Sequence, residues 1–527
     1  MSNDSTSEGA VARALESHEI DDELGDEGLP LGIFPLAIAN IAIDARSPLP
    51  LHEQICQAVR TAIWTRELPP RTLLPTTREL ARHLGVARNT VVFAYTRLSA
   101  EGLCISKRRR GTRVADDLPA QAVYGDVGGD SEASECEFVS LRTAFHTLHA
   151  LQTRVDRTAG GTPFVLSASD PVQYPRTKLG RRLADKFLGA PPPAGFTTSN
   201  VCDRFQTSVA AYLRQARGVV CAPSQVIAVS GLEAALDLTV RVLVDPGDSI
   251  LVEDPSMDIV HSAFHAARAY VRPISIDAFG ANPKTGEGPP ARLLFVSPSV
   301  NFPLGTSMSQ ARRLEVLEAA RAQNAILFEN DMCFELRYCG ASLRSIQGQD
   351  RDGRVIYYGG FSEILGNSVR IGYLVVPKTL RDAFVEIGRR TSSTPAFQMQ
   401  DALADFIEEH EFSGHARSVR SLYATRLETV KRACKDHLPQ FIASEPLGGL
   451  HVVLYHQRGR DVSAICETAA AEGIPVRPLS RYYLQKPVED GLVFGFGVVP
   501  ERSIYPIIKR LGELCAEGTH AERVLAQ

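Results

Sequence analysis

No apolar run in this 527-residue chain comes near the roughly 20 residues that a membrane-spanning helix needs. Met1–Glu23 is polar and acidic and lacks a hydrophobic signal core, so the expected address is the cytoplasm. None of the ten cysteines forms a Cys-x-x-Cys pair. A zinc site of the usual spacing is therefore not expected, and the thiols read as free in a reducing compartment. A redox or metal sensor built from Cys333 and Cys339 is the alternative. No lysine lies between Lys284 and Lys378, so no side-chain amine in that interval can form an imine. What is present, 44% hydrophobic and 22% charged residues, is the composition of a globular protein long enough for two or three domains.

The net charge of −4 is unevenly spread. Between Pro50 and Ala115 twelve Arg and Lys face four Asp and Glu, a local +8 that leaves −12 for the rest. A basic module on an acidic body points to nucleic acid. Within the module, Ile55, Val59 and Ile63 predict an amphipathic helix over 53–66, broken by Leu68-Pro69-Pro70. Thr76 or Thr77 can cap a second helix with Leu80, Ala81 and Leu84 inward, and Gly85 suits its end. A third helix is expected from Ala87 to about Ala100, with Val91, Ala94, Tyr95 and Leu98 inward and Arg88, Asn89 and Thr90 exposed in its first turn. Two short helices about a tight turn make a helix-turn-helix, whose second helix can reach base edges. A strand at Leu103–Ile105 then leads into Ser106–Val114, a cationic hairpin suited to phosphates.

The run LPTTRELARHLGVARNTVVFAYTRLSAEGLCISKRRRGTRV resembles the winged helix of GntR-type regulators. That resemblance implies DNA contacts from Thr77, Arg78, Arg88, Thr90, Arg110 and Thr112, and we add Asn89, Lys107, Arg108 and Arg109 from the same surfaces. Ala87 stands where the family has a serine cap, and Arg66 and Arg71 replace glycines.

The stretch after the module is rich in Gly, Ser and acids and reads as a linker. Beyond about residue 161, short apolar strands alternate with helical segments. Strands are expected at Val226–Val229, Ile250–Val252, Leu293–Val296, Ala325–Phe328, Val355–Tyr358 and Tyr373–Val376, with helices from Glu233 and over Ser309–Gln323. This pattern predicts an α/β domain with a mostly parallel sheet covered on both faces.

The landmarks VSGLEAALDL, VEDPSMD, VSPSVNFPLGTSMS, FENDMCFELRY, GRVIYYGGFSEILGNSVRIGYLVVP and GGLHVV run in an order that resembles fold-type I pyridoxal-phosphate (PLP) aminotransferases. The resemblance is closest to the MocR subgroup of GntR regulators, which carry such a domain behind the winged helix. The family's Schiff-base lysine follows Phe-Ser; here the segment is Phe361-Ser362-Glu363. Asn330 stands where an aspartate would hold the pyridine nitrogen, Met332 where a tyrosine would reach the ring hydroxyl, and Met257 where a tyrosine would stack on the ring. At the phosphate cradle Leu232 and Glu233 replace smaller or neutral residues, while Ser362 and Arg370 survive as possible anion contacts. Arg370 reads equally as a structural ion-pair partner, and Arg477 and Arg481 as carboxylate ligands or surface residues.

The resulting expectation has four segments: an acidic extension over 1–45, a GntR-type winged helix over 46–116, a linker over 117–160 and an aminotransferase-like effector and dimerisation domain over 161–520. The expected protein is a sequence-specific transcriptional regulator and not an enzyme, with no catalytic residue, no metal and no covalent PLP. Its expected partners are double-stranded DNA, a second copy packed head to tail, and a non-PLP small molecule or protein effector. The alternatives are a PLP-binding regulator or active aminotransferase, which Glu363, Asn330 and Met332 disfavour, and an interaction scaffold.

Overall fold

A computed structural model describes residues 35–39, 41–44, 47, 49–107, 111–116, 118, 168–189, 202–340, 343–391, 393–457, 462–474, 476–485 and 490–525. The expected linker over 117–160, apart from Leu118, and most of the extension over 1–45 lie outside these residues. The chain divides into an N-terminal unit, 1–136, and a C-terminal unit, 137–527.

In the N-terminal unit a short turn of helix, α1 (Leu36–Ala39), precedes α2 (Leu51–Trp64), α3 (Thr77–Leu84) and α4 (Arg88–Ala100). Helix α2 starts and ends two residues earlier than its apolar spacing predicts. Pro50 caps it, and Arg66 lies in the left-handed region at φ 62°, which a helix cannot continue through. Thr76 caps α3 in a reciprocal box: its hydroxyl accepts the Glu79 N–H at 3.2 Å, and its own N–H donates to Glu79 at 2.8 Å. Gly85, at φ 64°, ends the helix. Val91, Ala94, Tyr95 and Leu98 are buried as expected. They pack with Ile55, Val59 and Leu80 into one core, each fully buried aliphatic residue contributing about 1.5–3 kcal/mol. The wing is β1 (Cys104–Lys107) paired antiparallel with β2 (Gly111–Val114). Residues 72–74 back it: the Leu74 N–H donates to Thr112 at 2.8 Å and the Val114 N–H to Thr72 at 2.9 Å.

The described part of the C-terminal unit opens with α5 (Arg176–Leu188) and α6 (Asp203–Arg217). Its main sheet contains β3 (Val226–Val229), β4 (Ser249–Asp254), β5 (Tyr270–Asp277), β6 (Gly280–Ala281), β7 (Leu293–Val296), β8 (Ile326–Asn330), β9 (Val355–Gly360) and β10 (Gly372–Val375), in the order 3-10-9-8-7-4-5-6. Strands β5, β4, β7, β8 and β9 run parallel, whereas β10 is antiparallel to both neighbours. Alternate residues face opposite sides. Ile227, Val229, Ile356 and Tyr358 join one core, and Val226, Ala228 and Tyr357 join the other. Burial on both faces explains why the central strands read as continuous apolar runs. Connecting helices include α7 (Leu232–Leu243), α8 (Asp258–Ala266), α9 (Gln310–Ala322) and the single turn α10 (Ser362–Leu365).

After α11 (Arg381–Arg390), α12 (Phe397–Glu408) and the long α13 (Glu411–His437) comes a four-stranded antiparallel sheet, which no strand expectation covered. Its strands are β11 (Phe441–Ala443), β12 (His451–His456), β13 (Val476–Pro478) and β14 (Gly491–Gly495), and α14 (Ser463–Ala471) and α15 (Glu501–Leu525) accompany it.

Candidate functional site

Two places concentrate functional side chains. The first is the outer surface of the helix-turn-helix. Arg78, Arg88 and Asn89 are exposed there, and Thr77 and Thr90 are half-buried. Arg88 Nε donates to the Thr77 hydroxyl at 3.5 Å, linking the first turns of α3 and α4. The arrangement is held from behind. Arg60 of α2 forms a forked pair with Glu101, with Nη2 2.8 Å from Oε1 and Nε 3.1 Å from Oε2. The buried Tyr95 hydroxyl donates to Pro75 O at 3.0 Å. On the wing Lys107 is exposed, and Thr112 shares a 2.8 Å hydroxyl hydrogen bond with Ser106. Arg108, Arg109 and Arg110 lie outside the described residues. Ala87 has the extended backbone of a cap (φ −64°, ψ 141°) and no side-chain cap bond. Val92 and Phe93, 40% and 63% exposed, share the outer face of α4 with Arg88 and Asn89. The sequence reading missed them, although their spacing of four from those residues was visible.

The second place is the carboxyl end of the main sheet, where α/β folds bind ligands. Strand β8 ends on Asn330, which pairs in register with Tyr358 of β9. Asn330 donates its amide to the Ser297 hydroxyl beyond β7 at 3.1 Å, while its Oδ1 is buried with no hydrogen-bond partner. Strand β9 turns at Gly360 into α10, which carries Ser362 and Glu363. Glu363 is 8% exposed, and its Oε2 is buried without a partner. A methyl group placed on Gly360 would lie 3.1 Å from Glu363 Oε2 and 3.2 Å from the Tyr358 hydroxyl, so these two oxygens converge over the strand end. Burial pushes the Glu363 carboxyl up to about 7. Ser362 turns inward and donates to Val369 O at 2.9 Å.

Beside them β3 runs through Gly231, at φ 93°, into α7. A methyl group on Gly231 would meet nothing within 4 Å, so the space at this helix start is open. The carboxylate of Glu233, in the first turn, pairs with the Arg370 guanidinium. Of the two readings of Arg370, the ion pair is the one observed. Met257 and Met332 are half-buried and pack against the same core as Tyr358.

Beneath this layer Asp331 is fully buried and bound to Arg217 at 2.7 Å and to the Tyr357 hydroxyl at 2.8 Å. Burial alone would raise its carboxyl, but the Arg217 charge and the surrounding hydrogen bonds outweigh it and hold the group low. Glu329 goes the other way, up to about 7, because burial and the neighbouring Asp331 charge both oppose its ionisation. Arg477 is buried, and Arg481 pairs with Asp258 at 2.8 Å. Burial and nearby carboxylates push the Cys333 thiol well up, which disfavours the thiolate a redox sensor would use. Among the described residues no group of three or more His, Cys, Asp or Glu is placed to hold a metal ion, and no helix is long and apolar enough to cross a membrane.

Residues 51–114 match the family "Bacterial regulatory proteins, gntR family", and residues 178–486 match "Aminotransferase class I and II". The C-terminal fold is that of solved aminotransferases. An archaeal alanine:glyoxylate aminotransferase covers 72% of this chain, with 96% of its own length, at a TM-score of 0.63 and 22% identity. The multiple substrate aminotransferase of Thermococcus profundus covers 74%, with 99% of its own length, at a TM-score of 0.62 and 24% identity. These two domains in one chain define a DNA-binding transcriptional regulator with an aminotransferase-fold unit. Over 88% of its length the chain is 33% identical to the "Probable rhizopine catabolism regulatory protein MocR" of Rhizobium meliloti, 93% of which is covered. It is 27% identical, over 92% of its length and all of the relative's, to the "HTH-type pyridoxine biosynthesis transcriptional regulator PdxR" of Corynebacterium glutamicum. The chain belongs to the MocR-type regulators of the GntR family.

Proposed function

We propose that this regulator has left PLP chemistry, and that its aminotransferase-fold unit serves dimerisation and responds to a ligand other than PLP or to a protein partner. The carrying observation is Glu363. It follows Phe361-Ser362 where the family's lysine is expected, and no lysine lies between Lys284 and Lys378. A carboxylate cannot form an imine. The surrounding residues do not fit the cofactor either. Arg370 already has an anionic partner in Glu233, Ser362 donates to Val369, and Asn330 offers a neutral amide in place of a carboxylate for a protonated pyridine. We therefore assign no catalytic residue and no enzymatic activity.

DNA contacts are assigned to Thr77, Arg78, Arg88, Asn89, Thr90, Lys107 and Thr112, together with Arg108, Arg109 and Arg110. A head-to-tail homodimer would present two winged helices to two half-sites. The second reading, a PLP-binding regulator, draws on the presence of Ser362 and Arg370 and on the match of residues 178–486 to the aminotransferase family.

An absorbance spectrum of the full-length protein with and without added PLP, with calorimetry on the same sample, separates the two. The proposal expects neither a visible imine band nor binding heat. A band would require another lysine to reach the site and would overturn it. Gel shifts on the protein's own promoter region test the DNA face: wild type shifts it, Arg88→Ala does so at least tenfold more weakly, and no shift by either would favour an interaction scaffold.

A further inference from the structure

We infer that Val92 and Phe93, on the outer face of α4, are specificity-determining residues that meet the C5-methyl group of a thymine in the major groove. The inference rests on the proposed placement of the DNA contacts on this face and adds an apolar element to it.

The inner face of α4 is filled by Val91, Ala94, Tyr95 and Leu98. Val92 and Phe93 lie outside it and remain 40% and 63% exposed. Val92 is four residues on from Arg88, and Phe93 four on from Asn89, the spacing at which helix side chains are surface neighbours. The outer face is therefore polar in its first turn and apolar in its second. The polar side chains that follow are engaged within the protein. Thr96 donates its hydroxyl to the Val92 carbonyl at 2.9 Å, and Arg97 pairs with Glu53 and Glu101. The Phe93 ring has His52 of α2 as a neighbour, 6.2 Å away between ring centres, and most of its surface stays open. Scattered exposed apolar residues are ordinary on a protein surface. Two adjacent ones in the opening turns of a recognition helix occupy positions that face base edges.

Charge selects the occupant. The module between Pro50 and Ala115 carries +8, so this face suits a polyanion, and residues 51–114 match a family of regulators. In the major groove the base pairs present hydrogen-bonding groups and one apolar group, the C5-methyl of thymine. Arg88 and Asn89 suit the hydrogen-bonding groups, as arginine pairs with guanine and asparagine with adenine. The side chains of Val92 and Phe93 have no donor or acceptor, so the thymine methyl is the base feature they favour.

Full-length protein is first footprinted on its own promoter region. Duplexes are then made in which each protected thymine is replaced singly by deoxyuridine, which removes the methyl group and keeps the base pair. The wild type should bind at least one of these about fourfold more weakly, the worth of one buried methyl group. At that position Val92→Ala or Phe93→Ala should bind the thymine and uracil duplexes equally, with circular dichroism showing both variants folded. A uracil penalty that persists in both variants assigns the methyl contact to another residue and overturns the inference. So does the absence of a penalty at every thymine. Undiminished binding by Arg88→Ala overturns the parent placement of the DNA face, and no footprint at all overturns both.

Discussion

The Arg370 guanidinium is paired with the carboxylate of Glu233, which stands in the first turn of α7. The position is one where an anion is favoured, since unpaired N–H groups and the helix dipole meet there. Here the chain itself supplies the anion. With side chains 62% and 58% exposed, the pair contributes about 0–1 kcal/mol to stability, so its consequence is for binding. Glu233→Ala should leave unfolding unchanged within about 0.5 kcal/mol and raise the affinity for inorganic phosphate about tenfold, an effect of about 1.4 kcal/mol. Calorimetry at low ionic strength reads this directly. Equal phosphate affinity in the two proteins would mean that Arg370 does not face an anion site.

Arg217 and Asp331 form a pair of another kind. Their side chains are 1% and 0% exposed, and Arg217 also donates to Ser299 at 2.7 Å and to Leu343 O at 2.5 Å. Removing one partner leaves an uncompensated buried charge, so Asp331→Asn should destabilise by about 3–5 kcal/mol. The pH dependence follows from the lowered folded-state pKa of Asp331. Its contribution is complete above the unfolded-state value of about 3.9 and is lost as pH falls through the lower folded-state value. Urea unfolding should therefore show the wild-type advantage at pH 6 and its decline below about pH 4. An advantage that stays constant on acidification would place the effect in packing instead of charge.

The helix-turn-helix is legible in the amino-acid sequence because its signals are local: apolar residues at helical spacing, Thr76 with Glu79, and Gly85 at a helix end. The buried strands are legible as continuous apolar runs. The four-stranded sheet is not, because β11 and β13 have three residues each and the central pairing, β12 with β14, joins residues 36 to 44 apart. Arg66 and Arg71 stand in the sequence where the family has glycines. In the fold they occupy φ 62° and 70°, where a side chain costs about 1–2 kcal/mol and glycine fits without strain. At the sheet end the departures Asn330, Met332, Met257 and Glu363 are legible as residue types. The pairing of Glu233 with Arg370 is not, since it joins residues 137 apart.

Ala87 offers a direct test of the recognition helix. Its backbone already has cap geometry, and its side chain has nothing to offer the first N–H groups of α4. Ala87 is exposed, so serine fits. Ala87→Ser should stabilise the N-terminal unit by about 0.5–2 kcal/mol through one new hydrogen bond. Amide exchange in α4 should slow accordingly. Unchanged protection in the first turn would mean that water or another group already satisfies those donors.

Glu363 makes a stability prediction that needs no ligand. Burial raises its carboxyl from 4.5 to about 7, with the Glu335 carboxylate, the Cys333 thiol and the Tyr358 hydroxyl nearby and a bond to its own N–H opposing the shift. A raised carboxyl pKa means that the folded state holds a proton the unfolded state has lost. Stability therefore falls as pH rises from about 4.5 to about 7 and stays low above it, by about 3 kcal/mol over the whole window. Glu363→Gln keeps the shape and removes the ionisation. The variant should match the wild type near pH 4.5 and exceed it by about 3 kcal/mol at pH 8, measured by urea unfolding at several pH values between. Buried Glu253, raised in the same way, stays in both proteins and cancels in the comparison. A difference that does not grow with pH would show that water or a counter-charge reaches the Glu363 carboxylate, and the case for an unmet acceptor at this sheet end would fall with it.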